Sequence, residues 1–437
     1  MEWWVALSFL LGSLFFFFIL GMPVAFCFLF VNFLGALVFW GGEAGVRQLM
    51  LSLYESIASF TLLPLMLFIL MGEILFETGM ALETIDALDK WIGRVPGRLG
   101  LLAVAAGTLL ATLTGASMAS VAILGSALTP EMEKRGYTKE MSLGPIMGSG
   151  ALAPMIPPSN LSVLMAVLAG ASVAGVLVGA IIPGLIMAFL YGGYIIFRCK
   201  LQPQIAPAYD VPPTPLSEKL KLTAKYVLPL GTVIFLVTGV ILLGVATPSE
   251  AAATGALGSL ILAAWYGKLN WQVIKKIFKQ TLAISGMIFI MISASIAFGN
   301  VLAFSGASRG LTNFLTNLPL PPIVIIILVQ ILLIIIGGPI NPLTVLMALV
   351  PLFVPVLEAF GMNPVWFCVT LVLNVEMSNI SPPYGSVIFV MQGVAPPNTK
   401  LGDIFKATWP YVCIDVLVLA LLIAFPQLTL WLPGIIR

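Results

Sequence analysis

The 437-residue chain contains no histidine, only four cysteines and only 9% charged residues. Without histidine there is no imidazole general base, no imidazole metal ligand and no histidine proton relay. The cysteines, Cys27, Cys199, Cys368 and Cys413, lie far apart and form no CxxC pair, so they read as apolar fillers. Soluble domains carry about a quarter charged residues. With 60% hydrophobic residues and a mean hydropathy of +1.10, this chain cannot cover its surface with polar groups in water. Disorder, fibres and disulfide scaffolds are excluded by the same composition. A net charge of +2 carries no nucleic-acid signature, and no nucleic-acid partner is expected. What remains is a polytopic membrane protein whose surroundings are the lipid bilayer. The opening MEWWVALSFL lacks a basic region and a small-residue cleavage site, so no cleaved leader is expected.

Crossing the hydrocarbon core takes about 20 apolar residues of helix. Ten stretches qualify: 4–22, 23–41, 55–79, 143–170, 172–197, 226–246, 250–267, 281–305, 364–394 and 408–432. Two more, 97–130 and 319–357, are apolar but interrupted, by Thr114-Gly115-Ala116-Ser117 and by Gly337-Gly338-Pro339-Ile340-Asn341-Pro342. Such interruptions predict helical hairpins that enter the membrane and return, because irregular backbone at that depth survives only inside protein or beside water. Placing the basic loop from Arg198 to Lys225 in the cytoplasm leaves only Arg47, Arg309 and Arg437 outside, so the 20 basic residues split 17 to 3. That split requires both hairpins to be re-entrant and puts both termini outside.

The chain is written twice. Gly72-Glu73 and Gly79 match Gly299-Asn300 and Gly306, each 227 residues later, and Pro130, Pro157 and Pro158 match Pro355, Pro382 and Pro383, each 225 later. Each half holds five spans and one hairpin, and an odd number of spans inverts the second half. The expected fold class is therefore an all-α membrane protein of two inverted repeats, with about ten transmembrane helices and two re-entrant hairpins. Inverted repeats with broken helices are the architecture of secondary transporters. Channels and scaffolds are also built by duplication, but paired re-entrant breaks are hard to explain by packing alone. Amphipathic surface helices are expected at 80–92 and 268–280, serving either as anchors in the interface or as arms between a fixed and a moving part.

Four breaks gather small and polar residues at membrane depth: the two hairpin tips, Gly148 to Asn160, and Asn374 to Pro383. Proline removes a backbone donor and glycine lets the chain turn, so carbonyls are released there. Released carbonyls with Ser, Thr and Asn oxygens suit a hard monovalent cation, and helix N-termini suit an anion. The cation candidates are Thr114, Gly115, Ser149 and Gly150 at one tip, and Gly338, Asn341, Asn374 and Ser378 at the other. The substrate candidates between the tips are Ser117, Ser120, Ser159, Asn160, Asn341 and Asn379. Small polar residues in membranes more often serve helix packing; the clustering of Asn341, Asn374 and Asn379 at breaks favours a functional role. Glu376 is the one carboxylate inside a break, which makes it a functional candidate. Asp415 reads as interfacial, and Tyr384 and Trp366 as packing or belt residues. An intramembrane enzyme finds no HExxH, no GxSxG with a base and no partner for Glu376.

At these residues the sequence resembles the large membrane subunit of TRAP transporters, within the ion-transporter superfamily, over essentially the whole chain. The resemblance is carried by Gly115-Ala116-Ser117 through Gly125-Ser126 and Pro130, by Met155-Ile156-Pro157-Pro158-Ser159, and by Ser381-Pro382-Pro383 with Gly385. Where the family pattern has two aspartates, this chain has Ser120 and Asn341, leaving an expectedly less negative centre suited to an anion. The resemblance implies a sodium-driven elevator importer of organic acid anions, with two Na+ sites at the tips and adjoining breaks. It also implies a small four-helix membrane subunit and a periplasmic substrate-binding protein in a bacterial inner membrane. No Walker A pattern appears. The implied division is 1–59 scaffold, 60–197 transport part with hairpin 97–130, 198–225 cytoplasmic linker, 226–280 scaffold, and 281–437 transport part with hairpin 319–357. A stand-alone carboxylate symporter of the same superfamily, coupled to a cation or protons without a binding protein, is the competing expectation.

Overall fold

The computed structural model describes residues 2–435, except 94, 115–116, 208, 210–213 and 338–339, and omits the side chains of 81–82 and 111–114. Among the described residues every regular element is a helix. The first half runs α1 (Trp3–Ile19), α2 (Val24–Phe39), α3 (Glu43–Ile57), α4 (Leu63–Glu77), α5 (Met80–Asp89), α6 (Arg98–Thr114), α7 (Ser117–Lys134), α8 (Lys139–Ala151), α9 (Asn160–Leu168), α10 (Val173–Gly179) and α11 (Ile181–Leu201). Next come α12 (Leu216–Leu222), α13 (Leu228–Ile234) and α14 (Val240–Leu242), joined by π-helical turns into one 27-residue rod. The second half continues with α15 (Pro248–Trp265), α16 (Trp271–Phe304), α17 (Ala307–Thr316), α18 (Pro322–Gly337), α19 (Pro342–Ala359), α20 (Pro364–Ile380), α21 (Ser386–Val394), α22 (Leu401–Ala424) and α23 (Gln427–Ile435). Six of the described helical stretches are long and apolar enough to cross a membrane, and several shorter ones are as apolar. The chain is an all-α, multi-pass membrane protein.

Local chemistry explains most boundaries. Proline stands in the first turn of α4, α15, α19 and α20, where its missing N–H costs nothing. Ser159, Ser172, Thr247, Asn270 and Asn363 cap helices by accepting a backbone N–H of the first turn. Gly79 and Gly306, an expected repeat pair, both take the left-handed conformation immediately before α5 and α17, with φ of 67° and 76°. Both Pro157-Pro158 and Pro382-Pro383 carry a cis peptide bond.

Several elements differ from the sequence reading. The expected surface helix 268–280 is continuous with the span that follows, because Lys275, Lys276, Lys279 and Gln280 are good helix formers and nothing interrupts them before Gly286. At 34 residues α16 is about 51 Å long, well beyond a hydrocarbon core of about 30 Å. The rod α12–α14 begins at Leu216, inside the expected linker. The span expected at 408–432 ends at Ala424, and α23 restarts after Pro426. The break expected from 148 starts only after Ala151, and residues 374–380 remain helical, so the second break is confined to 381–385. Helix hydrogen bonding survives Gly148, Gly150 and Asn374 because each fits a tightly packed helix interface.

Those interfaces are built on glycine. A Cβ on Gly107 of α6 would lie 2.3 Å from Ser149 Cβ, and one on Gly148 of α8 would lie 2.2 Å from the Tyr411 ring. Small residues let backbones approach where no hydrophobic force drives helices together in lipid. The hairpin helices α6 and α7 pack on each other and on α8; α18 and α19 pack on each other and on α20. The base of the first hairpin is pinned by Arg98, which pairs with Asp89 at 2.9 Å and donates to Tyr209 Oη at 3.0 Å. Tyr137 in the loop before α8 accepts from the Leu99 N–H at 3.3 Å, and burial pushes its phenol up to about 12.

Candidate functional site

The starts of α7, α9 and α19 converge on one cavity of about 280 Å³. One wall is polar and comes from the hairpins and interrupted helices: Ser117, Asn160, Asn341, Glu376 and Asn379. The facing wall is apolar, with Leu65 and Ile69 of α4 and Ile284 and Ile288 of α16. Four of the six substrate candidates, Ser117, Asn160, Asn341 and Asn379, therefore share this space. The other two do not line it. Ser120 is buried inside α7, and Ser159 is consumed as the cap of α9, accepting from Ser162 N at 3.2 Å.

Glu376 organises the polar wall. It is 2% exposed, accepts a 2.5 Å hydrogen bond from Ser117 Oγ across the hairpin interface, and accepts a second from Asn379 Nδ2 at 3.1 Å. Ser386 Oγ at the start of α21 donates to Asn379 Oδ1 at 2.9 Å, so both sides of the second break are tied to the same carboxylate. It is the one charged side chain among the described lining residues. Glu376 brings a carboxylate to the cavity from α20, while Asn341 lines it as a neutral amide. Among the described residues Asn160 Oδ1 is buried without a donor.

The cation candidates fall into two groups. At the first, Ser149 and Gly150 of α8 lie against the start of α7, where a Cβ on Gly150 would sit 3.4 Å from the Ser117 carbonyl; Ser149 Oγ donates to Ile146 O at 2.8 Å. Gly115 and the Thr114 side chain fall outside the described residues. At the second, Ser378 Oγ faces Gly337 and donates to Asn374 O at 2.9 Å, and Asn341 caps α19 by accepting from Leu343 N at 3.0 Å. Gly338 falls outside the described residues. All the donors present are uncharged oxygens, which suits a hard monovalent cation and not a transition metal; no His, Cys, Asp and Glu cluster of metal-binding type occurs among the described residues.

Sequence reasoning passed over residues that complete these breaks. Gln330, the lone polar residue of the α18 run, donates to Thr370 Oγ1 at 3.0 Å and accepts from Asn374 Nδ2 on both its carbonyl at 2.9 Å and its Oε1 at 2.7 Å. Pro158 has no N–H for Pro154 O, and Ser162 Oγ takes that carbonyl at 3.0 Å; Thr238 Oγ1 takes Pro157 O at 3.1 Å. Isolation within an apolar run was the available signal for Gln330. Trp366 is a packing residue as expected, donating to Leu422 O at 2.8 Å. Tyr384 is exposed, and Asp415 is not interfacial but fully buried in α22.

Two helical hairpins and two interrupted helices meeting at one internal cavity define a membrane protein of the secondary-transporter type. The model of the family described as "Tripartite ATP-independent periplasmic transporter, DctM component" matches residues 11–428. The chain belongs to this family, and is a large permease of the TRAP type. The C4-dicarboxylate TRAP transporter large permease protein of Pseudomonas aeruginosa is 29% identical over 395 residues, covering 89% of this chain and 90% of the relative. The sialic acid TRAP large permease of Vibrio cholerae is 28% identical over 94% of this chain and 95% of its own length. The ectoine TRAP large permease of Halomonas elongata is 26% identical over 95% and 96%. The solved structure of the Alcanivorax borkumensis YdaH transporter is similar in fold, with a TM-score of 0.64 at 16% identity over 89% of this chain and 90% of that one. Neisseria gonorrhoeae MtrF gives a TM-score of 0.65 at 14% identity over 88% and 84%.

Proposed function

We propose that this permease imports a small organic acid with sodium by an elevator movement, receiving it from a periplasmic substrate-binding protein and working with a small four-helix membrane subunit. The observation that carries the reading is the meeting of three helix N-termini, those of α7, α9 and α19, at one cavity beside two clusters of uncharged oxygens. Partial positive charge at those ends favours a carboxylate, and the oxygen clusters favour sodium. The Glu376 carboxylate accepts donors, so an acid that also carries hydroxyl or amine groups fits better than a bare alkanoate. The relatives' names give C4-dicarboxylates, sialic acid and ectoine as substrates, all of them carrying at least one carboxylate.

Packing supports a division of the molecule slightly different from 60 and 281 as boundaries. Helix α4 packs on α15, with Met71 Sδ and Val237 closing on Gly255, and α16 packs on α2 and α3. We group both with the scaffold, so that the moving body is α6–α11 with α18–α23, its polar cavity wall sliding past the apolar wall of α4 and α16. The charge bias of the loops supports both termini in the periplasm and the chain in a bacterial inner membrane.

Thermal unfolding of the detergent-purified protein in sodium, potassium and choline at matched ionic strength tests the coupling ion. A ligand of the folded state at a hundredfold excess over its Kd stabilises by about 2.7 kcal/mol. A sodium-specific rise that N341A diminishes is expected. Equal stability in all three cations would overturn sodium binding by this chain on its own.

A further inference from the structure

A second buried carboxylate lies behind the cavity wall. Asp415 of α22 is 0% exposed, and Tyr191 Oη of α11 donates to its Oδ1. Among the described residues its buried Oδ2 has no hydrogen-bond partner, and none of their ion pairs includes it. An ionised carboxylate removed from water with no cation is costly, and such a group is ordinarily neutralised by what it binds.

The surroundings select the ligand. A metal cation needs several oxygens around it, whereas Asp415 is flanked by rings: Tyr191 and Tyr411 meet edge to face at 5.1 Å, and Tyr411 is seated on Gly144 and Gly148 of α8. A proton needs a single lone pair, and Oδ2 has one to spare. The rings also form a series. Tyr411 contacts Tyr194 at 5.5 Å and its Oη is buried with no partner; Tyr194 lies one turn before Arg198, which pairs with Glu140 at 3.7 Å at the charged end of α11. Other titratable groups on the helices packed around α22 are Glu376 and Cys368 of α20, Cys199 and Lys200 of α11 and Lys139 of α8; α21 and α23 contribute none.

We propose that Asp415 is a proton-binding site inside the body that carries the cavity, filled and emptied from the Tyr194 and Glu140 end. A proton from water forms an O–H bond on Oδ2, turning the carboxylate into a neutral acid, and leaves by the reverse step. Its meaning as a second coupling ion rests on the transport reading above; the site itself does not.

Infrared titration of the purified full-length protein from about pH 5 to about pH 9 reads the carboxylic-acid C=O band directly. The expected band disappears with rising pH, persists in E376Q and is absent in D415N. In Y191F its midpoint moves up by about one pH unit, because a donor that favours the ionised form has been removed. A band that does not titrate, or one that D415N leaves unchanged, overturns the proposal. Should D415N not fold, an unmoved midpoint in Y191F does so by itself. The band needs neither substrate nor sodium, so it can fail while the sodium-dependent thermal shift survives, and the reverse.

Discussion

Replacing Ser117 by alanine removes the hydrogen bond that it gives to Glu376 from the start of α7. The bond is 2.5 Å long and its acceptor is 2% exposed. Among the described residues Asn379 remains on the carboxylate, at 3.1 Å on the other oxygen. Hydrogen bonds to charged groups contribute about 1.5–3 kcal/mol. Neutral side-chain bonds between membrane helices average about 0.6 kcal/mol and reach about 1.7. With Glu376 ionised, at alkaline pH, the charged acceptor decides between these ranges, and the expected coupling between Ser117 and Glu376 is at least about 1.5 kcal/mol. It is measured by equilibrium unfolding of wild type, S117A, E376Q and the double variant in mixed micelles, at fixed pH and sodium. The double-variant cycle cancels effects that each substitution has elsewhere. Effects that add to within about 0.3–0.5 kcal/mol would refute the bond, and with it the tie between the start of α7 and α20.

Asn374→Leu strips the Nδ2 donor from both oxygens of Gln330 in a fully buried setting, and is expected to destabilise by about 1–3 kcal/mol; adding Gln330→Leu removes the stranded amide and should recover part of the loss in the same unfolding assay. G299C and P351C face each other across α16 and α19 with Cβ positions 2.9 Å apart, so a slight parting of the helices to the usual disulfide separation of about 3.5–4.5 Å lets a disulfide tie the proposed scaffold to the moving body. Oxidation should abolish uptake in reconstituted vesicles and reduction restore it, whereas full activity of the crosslinked protein would exclude sliding at that interface.

Much of this architecture is readable locally. Hydrophobic length marks the spans, and the glycines and prolines at 115, 157–158, 337–342 and 382–383 mark where helices stop, because both effects act within a few residues. Misreadings arise where local signals conflict with continuity or with distant packing. The lysines of 268–280 look interfacial, yet they extend α16 because lysine and glutamine propagate a helix. Ser159 looks like a ligand, but a serine before a helix has a nearer use as its cap. Asn374 looks like part of a break, but Gln330, 44 residues earlier, holds its side chain inside an intact helix.

What the sequence determined by itself is the solvent and the class: composition demands a bilayer, apolar length sets the helices, and the motif order identifies the family. Only the tertiary structure decided which polar residues face a common space. Ser117 reaches Glu376 across 259 positions and Tyr191 reaches Asp415 across 224, and no local pattern encodes such contacts. In a medium without water, every buried polar group takes whatever partner packing brings to it, so its role is set by neighbours far away in the chain.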